Sequence, residues 1–386
     1  MSDTEEQTIA ENRVLTKYKM SGELVNRALK KLIESCIDEA SVRNLCIEGE
    51  KLLTDELSKI FKKERDLSKG IAFPVCVSVN HCINHFSPLE SEEDQILKDG
   101  DLVKLDFGVH IDGFIAVVAH SLIVGATKEN KVTGRQADVM LAAHYAAEAA
   151  LRLFKPGFEN TAISTAVSKV SEVYSCSPVE GMLSFQLQQN RIDGEKLIRQ
   201  TPNNAQRKDV ERCTVEPHEV YAMDVILSTG KGQGKEMDSR VTIYKKTEEA
   251  YSLKLKCSRE FFRKVSKEHG QMPFSLRCFE EEKKARMGVM ECVTHKLVAP
   301  YPVLWEKQGE YVAQFKYTVL VMPNGPQRIT GFPLDIELCQ SEIKIEDNKE
   351  VMGLIKASMN VRKKKKNPTS EGAAEAPASE TVSAEA

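Results

Sequence analysis

The stretch KLDFGVHIDGFIAVVAH, residues 104–120, places one carboxylate, Asp106, within an apolar run. A turn near residues 111–113 predicts an antiparallel hairpin, in which the position opposite Asp106 lies among Val117, Val118 and Ala119. None of these three side chains can bind a metal ion, and a divalent cation needs several oxygen ligands. Asp106 is therefore either part of a metal site completed elsewhere in the chain or a hydrogen-bond acceptor on a strand.

A second stretch, CVSVNHCINH, combines Cys76, His81, Cys82 and His85. It lacks a CxxC pair or an HxxxH pair on a helix, so the spacing does not favour a zinc site. The glycine-rich segment STGKGQGK, residues 228–235, lacks the GxxxxGK[ST] spacing of a phosphate-binding loop and is predicted to be a flexible turn.

Hydrophobic periodicity predicts the elements that must position these residues. Ser21 is expected to cap a first amphipathic helix. Further helices are predicted from about residue 41, from 133 to 154 and from about 161, and strands at 70–79, 104–120, 218–227 and 310–322. The order helices, hairpin, helices, strand, insert, strand predicts an α+β body with an inserted subdomain.

Composition limits the class of protein. The chain has 386 residues, 41% hydrophobic and 29% charged, with a net charge of −3. The acidic start, MSDTEEQTIAEN, does not resemble a secretory or transit peptide, and the apolar run FIAVVAHSLIVG is too short to span a bilayer, so no membrane insertion is expected. Ten cysteines without regular spacing predict reduced thiols in a cytosolic or nuclear protein.

Charge is distributed unevenly along the chain. Residues 251–300 hold eleven Lys or Arg against six Asp or Glu, a balance of +5. We predict that this basic segment contacts nucleic acid through one helical face, although an ordinary solvated helix is the alternative. The candidate contacts are Lys254, Lys256, Arg259, Arg263, Lys264 and Lys267.

The two ends of the chain are expected to lack a core. Residues 1–16 are predicted to be disordered, residues 17–355 to form the folded domain with the basic insert at about 243–300, and residues 356–386 to form a disordered tail, first lysine-rich and then acidic. The basic run is a candidate nuclear address or phosphate contact, or simply a solvated tail. It consists of Arg362, Lys363, Lys364, Lys365 and Lys366.

Four ordered segments carry a family resemblance. GIAFPVCVSVNHCINHFSP, DLVKLDFGVHIDGFIA, EVYAMDVILSTGKG and GEYVAQFKYTVLV together resemble the type II methionine aminopeptidases, which have the creatinase-type pita-bread fold, over roughly residues 14–340. The segments MPFSLRCFEEEKKARMG and QFKYTVLVMPNGP and the lysine-rich tail are similar to one branch, the proliferation-associated, ErbB-receptor-binding proteins. The resemblance implies an α+β pita-bread fold with an inserted helical subdomain.

The resemblance also implies where metal ligands would stand. The family's enzymes hold two metal ions through two aspartates, a histidine and two glutamates. Carried over by position, the first aspartate is matched by Asp106, whereas the second is replaced by Val117 and the histidine by Met182. The two glutamate positions hold Asp224 and Lys316. Because a charged ammonium group cannot coordinate a divalent cation, we expect neither metal nor cofactor and no catalysis.

The resemblance also implies a substrate-side histidine and one further histidine. The resemblance places His85 at one of these positions, whereas the other falls near Asp193. On the strand that carries Lys316, alternation places Gln314 on the same face. We expect the Lys316 ammonium to pair with Asp106 and Asp224; a lysine on a solvated strand face is the alternative.

The functional expectation is a non-catalytic binding protein in growth control. The resemblance implies structured RNA and the large ribosomal subunit as partners, residence in the cytoplasm, nucleus and nucleolus, and roles in ribosome biogenesis, translation and transcriptional repression. An ErbB-type receptor tail and transcriptional co-repressors are further implied partners. Two alternatives stay open: an active dimetal methionine aminopeptidase, and a signalling adaptor that binds receptor tails without RNA.

Overall fold

The computed structural model describes residues 7–64, 66–201 and 211–360. The helices in these ranges are α1 Asn12–Ser35, α2 Val42–Lys59, α3 Gly134–Leu151, α4 Asn160–Val173, α5 Lys256–Glu268, α6 Glu282–Thr294 and α7 Lys349–Ile355. The longer strands are β1 Lys69–Val79, β3 Leu102–Ile111, β4 Phe114–Ile123, β9 Val220–Ser228 and β15 Val312–Met322. The shorter strands are β2 Cys82–Asn84, β5 Val132–Thr133, β6 Ser177–Pro178, β7 Leu183–Gln186, β8 Leu197–Arg199, β10 Lys235–Glu236, β11 Ile243–Lys246, β12 Phe274–Ser275, β13 Val298–Pro300, β14 Leu304–Trp305, β16 Gly325–Arg328 and β17 Cys339–Gln340.

A nine-stranded sheet lies at the centre, in the order β1-β3-β4-β15-β9-β7-β8, with β16 added beside β15 and β6 beside β9. The hairpin predicted at 104–120 is confirmed as β3 and β4, and Asp106 lies opposite Ala119, one of the three positions expected. Lys316 on β15 lies opposite Ala119 on one side and Asp224 on the other. The register therefore brings three charged residues together from separate parts of the chain.

Alternation along the strands separates hydrocarbon from charge. On β3 the side chains of Leu105 and Phe107 join the core formed with α1 and α2. On β15, Phe315 and Tyr317 join a second core, which is formed with α3 and α4. Because successive strand residues point to opposite faces, the charged residues between them lie on the face that the helices do not cover.

The basic segment forms a subdomain. Strands β12, β11 and β13 make a three-stranded sheet on which α5 and α6 pack, with Phe261 of α5 buried against Phe274 and Phe279. Arg277 ties this subdomain to the body, because its guanidinium donates to both carboxylate oxygens of Glu50, at 3.2 and 2.7 Å, and to Ser87 Oγ at 2.7 Å. The position of the insert relative to the sheet is thus fixed by a nearly buried, bidentate ion pair.

The prediction that residues 1–16 are disordered is wrong for the part that the structure describes. Helix α1 begins at Asn12, and Ile9 and Val14 are buried with Phe114 against the sheet. The predicted cap at Ser21 is also wrong, because Ser21 is buried in the middle of α1, where its hydroxyl donates to Phe114 O at 3.4 Å. The apolar face of α1 begins about two turns before the segment in which its apolar residues are most closely spaced, so the spacing alone places the start of the helix too late. Residues 1–6 lie outside the described residues.

The C-terminal prediction is tested over residues 356–360 only. These residues follow α7 and lie against the body: the backbone of Met359 passes close to Gly325, and Ser358 O accepts a hydrogen bond from Lys155 Nζ. Four of these five residues are nevertheless exposed, so a tail that begins at residue 356 stays a prediction. Residues 361–386, which include the whole run from Arg362 to Lys366, lie outside the described residues.

A glycine at the contact between α5 and α6 provides a test of the insert's packing. A Cβ atom at Gly288 would lie 2.7 Å from Phe261 Cβ and 3.1 Å from Cys257 O, so Gly288→Ala should reduce the free energy of unfolding by about 1–3 kcal/mol. Gly353→Ala in α7 is the matched control, because no atom lies within 4 Å of its Cβ position. Urea unfolding measures both variants. Equal effects of the two substitutions would contradict a close contact between α5 and α6 at this glycine.

Candidate functional site

Lys316, Asp106 and Asp224 form an ion cluster on the uncovered face of the sheet, here called the ion trio. Lys316 Nζ lies 2.6 Å from Asp106 Oδ2 and 3.1 Å from Asp224 Oδ2. The exposed fractions of the three side chains are 14% for Lys316, 4% for Asp106 and 12% for Asp224. The pairing expected from the family resemblance is confirmed, and it is an interior ion cluster rather than a surface salt bridge.

Gln314, two residues before Lys316 on β15, completes the cluster. Its Nε2 donates to both oxygens of Asp224, at 2.9 and 3.0 Å, and lies 3.4 Å from Asp106 Oδ2. The Lys316 ammonium also lies 5.4 Å from the centre of the Phe73 ring, within cation–π range. Charge-assisted hydrogen bonds and an aromatic face together offset the cost of removing these charges from water.

The electrostatics of the trio favour a charged lysine. Burial lowers the pKa of Lys316, but the nearby carboxylates of Asp106 and Asp224 outweigh burial, and the pKa is raised above its usual value. For Asp224, burial together with the charge of Asp106 raises the pKa, against the opposing effect of Lys316. One ammonium thus holds two carboxylates close together, across four neighbouring strands, β3, β4, β15 and β9.

At the other two positions that the resemblance assigns to metal ligands, the side chains are a valine and a methionine. Val117 on β4 is buried, and its backbone N–H and C=O are used by Thr318 Oγ1, at 2.9 and 3.1 Å. Met182 precedes β7, and its Sδ accepts a hydrogen bond from Asn84 Nδ2 at 3.6 Å. Neither residue offers the oxygen or nitrogen ligands that hard divalent cations require.

The residues present do not fit a pair of divalent metal ions. The two carboxylates that could bind metal are engaged by Lys316, and the ammonium lies where a metal would need a ligand. Within residues 7–64, 66–201 and 211–360, no group of three or more His, Cys, Asp and Glu side chains could hold a metal ion. We therefore derive no metal-dependent step from this site.

A cavity of about 200 Å³ lies next to the ion trio. Its walls include Phe73, Met182, Tyr301 and Leu304, so it is mainly apolar with Lys316 and Asp224 on one side. We call this space the remnant cavity.

Two polar residues on the wall of the remnant cavity have fixed roles. His85 Nδ1 lies 3.0 Å from Pro302 O, and burial lowers the pKa of His85 to about 4, so the ring is neutral at pH 7 with the proton on Nδ1. Asp193, at the second family histidine position, pairs with Lys245.

The predicted cationic face of the insert is only partly assembled. Lys256, Arg263 and Lys267 are exposed along one side of α5, whereas Lys264 turns away: its Nζ donates to Cys278 O at 2.9 Å and lies 4.7 Å from the Phe279 ring centre. Arg259 is exposed on the same side as the first three, but its Nη1 donates to the backbone oxygens of Leu253 and Lys254, at 3.0 and 2.7 Å. Lys254 itself lies exposed just before the helix.

Sequence reasoning missed Lys104, the other buried lysine of the sheet. It is 1% exposed and has no carboxylate partner in the described part of the chain; its Nζ donates to Asn80 O at 3.0 Å and Val312 O at 2.9 Å. Burial lowers its pKa to about 7. The available signal was a lysine within LVKLDF, a strand in which every position is buried.

Comparison with known proteins identifies the family. Residues 16–246 match metallopeptidase family M24. The chain is 42% identical to ERBB-3 binding protein 1 of Arabidopsis thaliana over 94% of this chain and 90% of that protein, and 38% identical to the curved DNA-binding protein of Schizosaccharomyces pombe over 93% and 94%. A solved structure of a thermophilic Arx1 superposes with a TM-score of 0.85 at 29% identity, covering 91% of this chain and all of that one. These findings confirm the predicted pita-bread fold and the resemblance to the ErbB-receptor-binding branch.

In the part of the chain that the structure describes, no helix is long and apolar enough to cross a lipid bilayer.

The ion trio predicts a large effect of removing the ammonium. Lys316→Met keeps the side chain's bulk but leaves Asp106 and Asp224 facing each other, which should reduce the free energy of unfolding by about 3–5 kcal/mol at pH 7. The loss should shrink as the pH falls towards 5. In the variant, repulsion raises a carboxyl pKa above its unfolded value, so the folded state binds more protons and is stabilised at lower pH.

Urea unfolding of three variants at several pH values tests this prediction. Lys31→Met, on the exposed side of α1, should change the stability by less than about 0.5 kcal/mol. The double variant Lys316→Met with Asp224→Asn should recover part of the loss, because one of the facing charges is removed. A loss below about 0.5 kcal/mol for Lys316→Met would mean that the trio is not an energetic unit.

Proposed function

This chain belongs to metallopeptidase family M24, and from that membership and the ion trio we propose that it is a non-catalytic member that binds structured RNA and proteins. The single observation that carries the non-catalytic assignment is the position of the Lys316 ammonium, 2.6 Å from Asp106 Oδ2 and 3.1 Å from Asp224 Oδ2. Both carboxylates that could serve as ligands are occupied by a cation of the chain itself.

The alternative of an active dimetal aminopeptidase would require the trio to open. Metal binding would have to displace Lys316 from two carboxylates and leave its ammonium buried without a counter-charge, a loss of several kcal/mol. Val117 and Met182 would contribute no ligand in return. The proposal therefore assigns the site a structural role, in which an internal cation balances the charge of the two aspartates.

The proposed RNA contact is the exposed side of α5. Lys256, Arg263 and Lys267 point away from the subdomain core, and the segment 251–300 carries a balance of +5. Clusters of exposed cations bind phosphates without sequence specificity. The name of the Schizosaccharomyces pombe relative, a curved DNA-binding protein, supports a nucleic-acid partner.

The remaining partners and the location of the protein are part of the same proposal. The resemblance implies the large ribosomal subunit as the RNA-containing partner and a cytoplasmic, nuclear and nucleolar distribution. The name of the Arabidopsis relative, ERBB-3 binding protein 1, supports a receptor-type protein partner. Transcriptional co-repressors, and roles in ribosome biogenesis and translation, are proposed from the resemblance. The run Arg362–Lys366 would add cations to the RNA contact.

Elemental analysis combined with a peptide assay tests the non-catalytic assignment. After incubation with Mn²⁺, Co²⁺ or Zn²⁺ and desalting, the protein should retain substoichiometric metal and should not cleave a Met-Ala-Ser peptide. A fourfold variant restores the family's ligand types: Lys316→Glu, Val117→Asp, Met182→His and Asp224→Glu. It should gain Co²⁺ affinity by calorimetry. Stoichiometric metal with turnover in the unmodified protein would overturn the assignment.

Salt-dependent RNA binding tests the second half of the proposal. The triple variant Lys256→Gln, Arg263→Gln and Lys267→Gln should weaken binding to a hairpin RNA and to purified large ribosomal subunits. The slope of log K against log salt should fall by about 2–3, because each lost phosphate contact contributes about 0.7–0.9. Deletion of residues 361–386 should reduce the slope further.

A charge-matched control separates a specific face from net charge. Lys19, Lys30 and Lys31 lie exposed on α1, and their triple replacement by Gln removes the same charge far from the insert in sequence. An equal loss of RNA affinity in both triple variants would reject α5 as the contact. Absence of RNA binding by the unmodified protein would favour the signalling adaptor instead.

A further inference from the structure

A second, larger groove lies on the opposite side of a small sheet from the remnant cavity. Strands β10, β14 and β2 form this three-stranded sheet. Leu304 and Trp305 are neighbours on β14, and the register of β14 against β2 shifts between them. Leu304 lines the remnant cavity, whereas Trp305 lines a groove of about 580 Å³ bounded by residues 86–95 and 237–240. We call it the tryptophan groove.

One wall of the tryptophan groove is aromatic and held in a fixed orientation. The Trp305 ring centre lies 5.1 Å from that of His81 and 5.9 Å from that of Phe86, and its Nε1–H donates to Ser239 Oγ at 3.1 Å. Met237, on the rim, is 61% exposed. An indole ring held by packing and a hydrogen bond presents a face to a ligand at little entropic cost.

The other walls are acidic. Four carboxylates line the groove, and Arg240 is the single cation among the lining residues, so the lining carries a formal charge of −3. These carboxylates belong to Glu92, Glu93, Asp94 and Asp238. A groove with this charge repels phosphate groups and attracts cations. It is therefore distinct in chemistry from the basic side of α5.

The four carboxylates of the groove differ in their hydrogen bonds and in their exposure to solvent. Asp94 already accepts hydrogen bonds from Ser41 Oγ and from the backbone of Arg43, at 2.5 and 3.0 Å. Glu92 Oε2 accepts a hydrogen bond from Leu89 N at 3.0 Å. The other carboxylate oxygen, Oε1, is buried and accepts no hydrogen bond from the described residues. Burial raises the pKa of Glu92, against the opposing charges of Arg240 and Arg286. Glu93 and Asp238 are exposed at the rim.

We propose that the tryptophan groove binds an extended basic segment of a partner protein, with an arginine or lysine side chain against Trp305 and its charge facing Glu92, Glu93 and Asp238. The combination of an indole face with several carboxylates selects a cation on a partly apolar stem. An arginine fits better than a lysine, because its planar guanidinium both stacks on the indole and donates to two carboxylate oxygens. This proposal does not depend on RNA binding or on the absence of catalysis.

The single tryptophan of the chain makes the groove directly observable. The peptide Ac-(Gly-Arg)₄-NH₂ should change the Trp305 fluorescence of the full-length protein in a saturable manner, with Ac-(Gly-Lys)₄-NH₂ binding more weakly. Ac-(Gly-Glu)₄-NH₂ should have no effect. The double variant Glu93→Gln with Asp238→Asn should lower the affinity for the arginine peptide by about five- to tenfold. Arg240→Gln should raise that affinity, because the substitution removes the one opposing charge among the lining residues.

Matched variants distinguish binding in the groove from a general effect of net charge. Glu48→Gln with Asp55→Asn removes the same charge from the exposed side of α2 and should leave peptide affinity unchanged. Trp305→Phe, followed by calorimetry, should weaken binding without unfolding the protein. Equal binding of the acidic peptide, or equal losses in both double variants, would overturn the proposal. It also fails if deletion of residues 361–386 alone shifts the Trp305 emission and tightens the peptide, because the occupant would then be the chain's own Arg362–Lys366 run.

Discussion

The attraction between one ammonium and two carboxylates is the constraint around which the central sheet is arranged. Lys316 on β15 reaches Asp106 of β3 across β4, and Asp224 of the adjacent β9. Two aspartates held so near each other in the interior require a counter-charge, which the resemblance implies is supplied by metal ions in the family's enzymes. Here a side chain of the same polypeptide supplies it. Because a buried ion pair contributes little net stability but is costly to break, the trio favours this one arrangement of strands over its alternatives.

The trio also depends on strand register. Leu105, Phe107, Phe315 and Tyr317 pack under the helices. On the opposite face, Lys316 lines the remnant cavity and pairs with Asp106. A slip of one residue in β15 would place Lys316 in the apolar core and Phe315 beside the aspartates. Hydrophobic burial on one face and ion pairing on the other therefore specify the same register, so that each reinforces the other.

Local pattern predicted part of this site, and the family resemblance supplied the rest. The hairpin turn limited the residue opposite Asp106 to three positions, and alternation placed Gln314 on the same face as Lys316. The expectation that Lys316 pairs with Asp106 and Asp224 rested on the positions that the resemblance assigns to metal ligands. The start of α1 was placed too late because Ile9 and Val14 precede the dense apolar stripe and are buried only by contact with Phe114. Helical spacing assigned Lys264 to the cationic face, but spacing alone does not reveal that Phe279 and Cys278 O attract it inward. The tryptophan groove was missed because residues near 81, 92, 238 and 305 meet only in the folded chain.

Arg277 connects the subdomain that carries the basic side of α5 to one wall of the acidic tryptophan groove. Besides holding Glu50, it donates to Ser87 O and Pro88 O, at 3.3 and 3.0 Å, and both of these residues line the tryptophan groove. The same guanidinium thus fixes the insert that carries α5 and one wall of the acidic groove. Since its side chain is largely buried and bidentate, the basic side of α5 and the groove are held in a defined relative orientation. If one partner engaged both surfaces, simultaneous engagement would raise the effective affinity of each contact without any new interaction.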